Sequence, residues 1–243
     1  MHSAATALTT RTRDQALDLL KWLAMLFMVL DHLRYAGWPQ PWLYVPGRLA
    51  FPWFCLAIAV NLARRQADDS RHWRYLGWLL LFAALSEIPY RLFQPQPDSL
   101  NVLPTLALGL LLARAWQAQT RQALWTGMGA LVLAILLHRQ LMFGLPGVLM
   151  PLASLLALSR PGYWAILPGL LCLAGNVWPV LLASARHGDP VAYAGIAACV
   201  LGPWLGLSLL KTSPAVGVPP MRRWAYAIYP LHFLLLMGLR RLI

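Results

Sequence analysis

A chain of 243 residues that is 59% hydrophobic and only 12% charged cannot solvate a large surface, since soluble domains carry about twice that share of charge. The mean hydropathy of +0.57 therefore favours an integral membrane protein whose apolar side chains face lipid. The net charge of +12 comes from bases in short clusters between apolar segments, which is typical of loops beside anionic lipid headgroups and argues against a nucleic acid partner.

The N-terminus and the cysteines define the broad organisation. We expect residues 1–15 to form a polar cytoplasmic tail and 16–243 to form a single transmembrane domain. The first apolar segment follows Arg11 and Arg13 without a small-residue cleavage site, so we expect it to remain as an anchor. Three cysteines (Cys55, Cys172 and Cys199) lie in apolar segments without metal-ligand spacing, which predicts free thiols and no metal site.

The apolar segments predict an all-α, polytopic helix bundle. Crossing a bilayer takes about 20 apolar residues. On this basis we expect about nine spans, at 16–35, 48–63, 73–93, 100–117, 122–138, 141–158, 162–184, 190–210 and 222–241. The Pro- and Gly-rich stretch 144–180 also permits a different partition. Most bases fall on the side of the N-terminus, which predicts a cytoplasmic N-terminus.

Ionisable and polar side chains border several of these spans. Asp31 and His32 approach the outer end of the first span in "KWLAMLFMVLDHLRY", and Arg48 opens the second in "GRLAFPWF". Further candidates in the third, fourth and last spans are Glu87, Tyr90, Arg91, Asn101 and His232. An ionised group inside a bundle costs several kcal/mol unless it has a partner, so we expect these residues to share one polar pocket.

Each of these residues also has a purely structural interpretation. Arg48 can extend to the membrane interface, and Asp31 can pair only with Arg34, three positions along the same helix face. Glu87 and Arg91, four positions apart, can form an ion pair without a function.

The first span carries a more specific pattern. Lys21 and His32 are eleven residues apart, so they project from nearly the same face, about 16 Å apart along the axis. Asp31 is rotated about 100° from His32 and needs a partner on another helix, for which Arg48 is a candidate.

The stripe formed by Lys21 and His32 fits acyl-coenzyme A, which has phosphates at one end and a thioester at the other. Lys21 would bind the phosphates together with Arg74, Arg222 and Arg223. His32 would act as the general base, and Arg48 would stabilise the developing charge.

Several motifs together resemble the TraX family, named for the protein that acetylates the amino terminus of a conjugative pilin. The motifs are "LKWLAMLFMVLDHL", "GRLAFPWF", "NVLPTLALG" and "YPLHF". The resemblance implies a multi-pass acyltransferase of the bacterial inner membrane that uses acyl-coenzyme A, most simply acetyl-coenzyme A. It points to Lys21, Asp31, His32 and Arg48, with Asn101, Tyr229 and His232 as further site residues.

The acceptor is left open. An amino terminus such as that of a pilin-like peptide, a saccharide hydroxyl and a lipid headgroup are all chemically acceptable. The alternative function is a proton-coupled transporter, in which Asp31, His32, Glu87 and Arg48 form a relay. The interrupted segment "LPGLLCLAGNVWP" favours this alternative, and the absence of paired sequence halves opposes it.

Overall fold

The computed structural model describes residues 14–64, 71–94, 97–160, 162–176, 178–215 and 217–242. Within these ranges the chain forms α-helices, three short 3-10 helices and no strand. The α-helices are α1 Gln15–Leu33, α2 Tyr44–Ala63, α3 Arg71–Phe93, α4 Val102–Ala118, α5 Arg121–Leu136, α6 Gly144–Ser159, α7 Leu167–Gly175, α8 Trp178–Arg186, α9 Pro190–Leu209 and α10 Ile228–Arg240. Arg11 and Arg13, with nearly all of the expected N-terminal tail, lie outside the described residues.

Helices α2 and α4 form the centre of the bundle. Helix α2 packs against α1, α6 and α9, and α4 packs against α3, α5 and α6. Side chains on the inner faces are almost completely buried, among them Cys55 and Ile58 in α2 and Leu110 in α4. All three cysteines are free, as the sequence predicts.

The outward faces of the bundle are apolar. Large side chains are 65–73% exposed, although each would be expected inside a soluble protein: Ile88, Leu92, Leu136 and Leu235. An apolar surface of this kind is stable in lipid and unfavourable in water. The bundle is therefore built for a membrane.

The structure has fewer long apolar helices than the nine spans that the sequence predicts. Among the described residues, three helical segments are long and apolar enough to cross a membrane: Pro41–Ala63, Arg71–Phe93 and Pro190–Leu209. Helices α4, α5 and α6 are apolar but contain only 16 or 17 residues, and at 1.5 Å per residue they are only about 25 Å long. Helix α1 is long enough to cross a membrane, but its three charged residues make it more polar than a typical membrane span: Asp18, Lys21 and Asp31.

The segment 162–184, predicted as one span, is interrupted in the structure. A 3-10 helix, Tyr163–Ile166, leads into α7, and the chain bends by 85° between Tyr163–Gly175 and Pro179–Arg186. Asn176, at the break, has its backbone amide bonded to the Leu173 carbonyl, three residues back, so the regular α-helical ladder stops there. The break falls within the Pro- and Gly-rich stretch 144–180, for which the sequence also permits a different partition.

The last predicted span also begins differently. Residues Arg223–Ala227 form a 3-10 helix, and α10 starts only at Ile228. The side chain of Asp18 in α1 accepts a hydrogen bond from the backbone N–H of Met221 at 3.4 Å. This contact fixes the segment before α10 beside the first turns of α1, which brings Arg222 and Arg223 near Lys21.

Candidate active site

A cavity of about 380 Å³ opens between α1, α2, α3, α4 and the segment that leads into α10. None of the lining residues within the described ranges is acidic. Five of them are basic: Lys21, Arg71, Arg74, Arg222 and Arg223. One carboxylate lies beside the lining, because Asp18 Oδ1 is 3.7 Å from Lys21 Nζ. Among the described residues the lining therefore carries more positive than negative charge, which favours an anionic ligand.

The basic side chains lie at the mouth of the cavity. All four arginines are exposed, and they come from the first turn of α3 and from the residues just before α10. The four bases that the sequence names as phosphate ligands thus surround one opening. Arg71 is a fifth base that the sequence analysis did not select, although its position three residues before Arg74 places it on the same helix face.

The deep end of the cavity is apolar and buried. Its lining includes Leu79, Leu103 and Leu106, none more than 6% exposed. Asn101, directly before α4, contacts Glu87, so α4 starts about 20 Å along α3 from Arg74. Tyr229, which is 7% exposed, also lines the cavity, and its hydroxyl accepts a hydrogen bond from the backbone N–H of Val102 at 3.3 Å.

A pair of histidines lies next to this deep end. His32 Nδ1 and His232 Nε2 are 2.9 Å apart, and the two rings are nearly parallel. His232 is 4% exposed, and its ring centroid is 5.5 Å from that of Tyr229. Neither histidine is among the described residues that line the cavity. Tyr229, which lines it, contacts His232, and His232 contacts His32.

A second polar group surrounds Asp31. Arg34 Nη2 donates to Asp31 Oδ1 at 2.6 Å, and Arg48 Nη2 donates to Asp31 Oδ2 at 3.3 Å. Arg48 also donates to Asn176 Oδ1 and lies over the ring of Tyr44, 4.1 Å from its centroid. Asp31 therefore has both partners that the sequence analysis considered, and Arg48 is held between α1 and the break after α7 rather than at the cavity.

A third polar group caps the start of α4. The amide of Asn101 donates to Glu87 Oε2 at 2.6 Å and to the Ala83 carbonyl at 2.8 Å, and its side-chain oxygen accepts from the Leu103 N–H at 3.1 Å. Glu87 also pairs with Arg91 at 2.7 Å, where the Arg91 side chain is 51% exposed. Glu87 and Asn101 therefore join α3 to α4, and their contacts are those of a helix cap.

The expected single polar pocket is thus three groups: the histidine pair, the contacts of Asp31 and the cap of α4. Phe233 packs against the histidine pair. The Phe233 ring centroid is 3.9 Å from that of His232, 5.3 Å from that of His32 and 5.7 Å from that of Tyr90. Tyr90 is buried outside the cavity. The separation has a physical reason: Asp31 and Glu87 each have a basic partner nearby, so neither carboxylate needs the other groups to compensate its charge.

The fold and its site define an all-helical membrane protein with a basic cavity that leads from one end of the bundle toward a buried histidine pair. The chain belongs to the TraX family, because the family model described as TraX protein matches residues 16–240. This family assignment confirms the resemblance carried by the sequence motifs.

Individual relatives match a shorter stretch. Protein TraX of Escherichia coli strain K12 is 41% identical over 66 residues, which are 25% of this chain and 25% of that protein. A second Protein TraX of Escherichia coli is 39% identical over 66 residues, again 25% of each chain. The matched segment thus spans about a quarter of these relatives' length. No solved structure matches this chain.

Proposed function

We propose that this protein is a membrane-embedded acyltransferase that moves an acyl group, in the simplest case acetyl, from acyl-coenzyme A to an amine or hydroxyl acceptor. The observation that carries the proposal is the cavity with five bases at its mouth and Tyr229 at its deep end. A ligand with several phosphates at one end and a thin, largely apolar arm fits this distribution of charge. The coenzyme would enter from the cytoplasm, in the inner membrane of a bacterium, with the N-terminus inside.

The proposed reaction joins the acceptor to the acyl group at the deep end. The acceptor enters from the outer end of α1, on the His32 side of the histidine pair. His32 removes the proton from the attacking nitrogen or oxygen, which bonds to the carbonyl carbon of the thioester. The carbon–sulfur bond then breaks, and the thiolate of coenzyme A leaves and takes the proton from the His32 imidazolium. His232 holds the His32 ring by the 2.9 Å hydrogen bond, so the base has a defined orientation.

Arg48 has a different role in this proposal from the one that the sequence suggests. Its guanidinium is bound by Asp31 and Asn176, so it positions the end of α1 that carries His32. The acceptor would approach that end, and an amino terminus of a pilin-like peptide, a saccharide hydroxyl or a lipid headgroup could each supply the nucleophile.

Binding of labelled acetyl-coenzyme A to purified protein in detergent tests the proposal. We expect saturable binding, and about tenfold weaker binding in Lys21→Gln and in Arg222→Gln, because each loses one charged contact to phosphate. Arg121→Gln is the matched control, since Arg121 is exposed outside the cavity. Absence of saturable binding by the unaltered protein would refute the proposal.

A proton-coupled transporter is a second candidate, favoured by the 85° bend after α7. Broken helices often mark transport sites, and here the residue at the break contacts Arg48, which contacts Asp31. Reconstituted vesicles with a trapped pH-sensitive dye test this candidate. Proton flux that is lost in Asp31→Asn, without any binding of acetyl-coenzyme A, would favour transport over acyl transfer.

A further inference from the structure

The hydroxyl of Tyr229 holds a proton for which the described residues provide no acceptor. Its hydrogen-bond partner within the described residues is the Val102 N–H, and that bond uses a lone pair of the hydroxyl oxygen. The side chain is 93% buried, since only 7% of it is exposed, and both Tyr229 and Val102 line the cavity. The O–H group is therefore available to a ligand in the cavity.

The position of Val102 makes this hydroxyl a better donor. Val102 is the first residue of α4, and the N–H groups on either side already have partners: the Asn101 N–H donates to Glu87 at 3.1 Å and the Leu103 N–H donates to the Asn101 side chain. One of the first N–H groups of α4 therefore contacts the cavity through the Val102–Tyr229 bond. A hydroxyl that accepts such a bond donates its own proton more strongly.

We propose that Tyr229 is a catalytic residue that donates a hydrogen bond to the carbonyl oxygen of the acyl thioester; this inference rests on the proposed function. When the acceptor attacks, the electron pair of the carbonyl double bond moves to that oxygen, and the Tyr229 O–H stabilises the negative charge. When the double bond re-forms, the carbon–sulfur bond breaks and the tyrosine keeps its proton. No proton is transferred to or from Tyr229 overall.

The surroundings explain why this charge needs a fixed donor. The bases are at the mouth, and the lining residues of α4 beside Tyr229 are apolar and buried: Val102, Leu103 and Leu106. Arg48, which the sequence suggests for this role, is held by Asp31 and Asn176 away from the cavity. Donors that are already oriented in such an apolar site stabilise an oxyanion far more than they would in water.

The test compares Tyr229→Phe with the unaltered protein in single-turnover acyl transfer. We expect the rate to fall by about 10²–10³-fold, the usual loss for one oxyanion donor, while the dissociation constant of coenzyme A changes by less than about threefold. Tyr193→Phe, which removes an exposed hydroxyl in α9, is the control and should behave like the unaltered protein. An unchanged rate in Tyr229→Phe, or a loss of coenzyme A binding, would overturn the inference.

A second series removes any ambiguity from a folding defect in Tyr229→Phe, which also leaves the Val102 N–H without its acceptor. Fluorinated tyrosines placed at position 229 keep the hydroxyl and its hydrogen bond from the Val102 N–H, but they change the acidity of the phenol. We expect the transfer rate to vary steadily with that acidity, and a flat dependence would overturn the inference. If the unaltered protein binds no coenzyme A at all, the proposed function fails instead, so the two failures are distinguishable.

Discussion

At the scale of single residues, the candidate site depends on contacts between distant parts of the chain. The sequence suffices to select Lys21, Arg74, Arg222 and Arg223, because bases at helix ends on the same side of a bundle converge. It does not predict the His32–His232 hydrogen bond, which joins residues 200 positions apart. Nor does it predict Asn176 as a partner of Arg48, because that contact requires the break after α7.

The histidine pair leads to a prediction about rates. We expect His32→Ala to lower single-turnover acyl transfer by about 10²–10⁴-fold, since it removes the proposed general base. His232→Ala should cost less, and His232→Gln should recover part of that loss because an amide can still hydrogen-bond His32. Coenzyme A affinity should stay unchanged in all three.

Exposed His187 provides the control for this series, and His187→Ala should transfer normally. A normal rate in His32→Ala would remove His32 from the mechanism. Equal losses in His232→Ala and His232→Gln would mean that His232 contributes by packing rather than by its hydrogen bond.

The Asp31–Arg48 pair leads to a prediction about stability. Both side chains are largely buried, 14% and 12% exposed, so Arg48→Gln leaves Asp31 without one of its two cationic partners. We expect the free energy of unfolding to fall by about 3 kcal/mol, measured by thermal or denaturant unfolding in micelles. Arg91→Gln breaks an exposed pair and should cost less than about 1 kcal/mol. Similar losses in the two variants would contradict a structural role for Arg48.

At the scale of helices, type and approximate position follow from apolar segment length, whereas helix interruptions do not. Regular apolar sequence predicts α2, α3 and α9 well, because burial or lipid contact favours a helix over the whole segment. The stretch 162–184 is equally apolar, yet it breaks next to Asn176. Hydropathy measures transfer into an apolar environment and carries no information on where a backbone ladder ends.

Close packing of α1 on α2 depends on Gly47. A Cβ atom at this position would lie 2.5 Å from Asp31 Cγ and 2.6 Å from Asp31 Cβ, so the clash could not be relieved by rotating the end of the side chain alone. We expect Gly47→Ala to force the two helices apart and to lower the free energy of unfolding by about 1–3 kcal/mol.

Gly77 in α3 is the control for this packing prediction. Nothing lies within 4 Å of a Cβ atom there, so Gly77→Ala should leave stability unchanged or raise it by up to about 1 kcal/mol. Unfolding of both variants in the same detergent gives the comparison. A Gly47→Ala protein as stable as Gly77→Ala would mean that the approach of α1 to α2 is looser than the structure describes.

At the scale of the whole molecule, the helices give the bundle two distinct ends. The start of α1 lies at the same end as the basic mouth, and Trp38, which follows α1, lies at the other. Helix α9 packs parallel to α2, since Gly195 approaches Tyr44 while Gly206 approaches Trp53. Thr212, beyond the end of α9, therefore lies at the end that carries the mouth.

Orientation in the membrane can be tested at these two exposed positions. With the basic mouth facing the cytoplasm, an impermeant thiol reagent applied to spheroplasts should label Trp38→Cys but not Thr212→Cys, and permeabilisation should expose Thr212→Cys. The unaltered protein is the control, because its three cysteines are no more than 2% exposed and should resist labelling. The reverse pattern would place the mouth outside, where coenzyme A is absent.

The bases at the mouth of the cavity have a second consequence, for membrane insertion. Positive charge beside an apolar helix also favours retention of that helix end in the cytoplasm during membrane insertion. The five bases of the lining would then both determine the topology of the chain and bind the anionic ligand: Lys21, Arg71, Arg74, Arg222 and Arg223. Replacing them with neutral residues to suit a less anionic donor would also remove this topology signal, because the nascent chain would then insert in the inverted orientation more often.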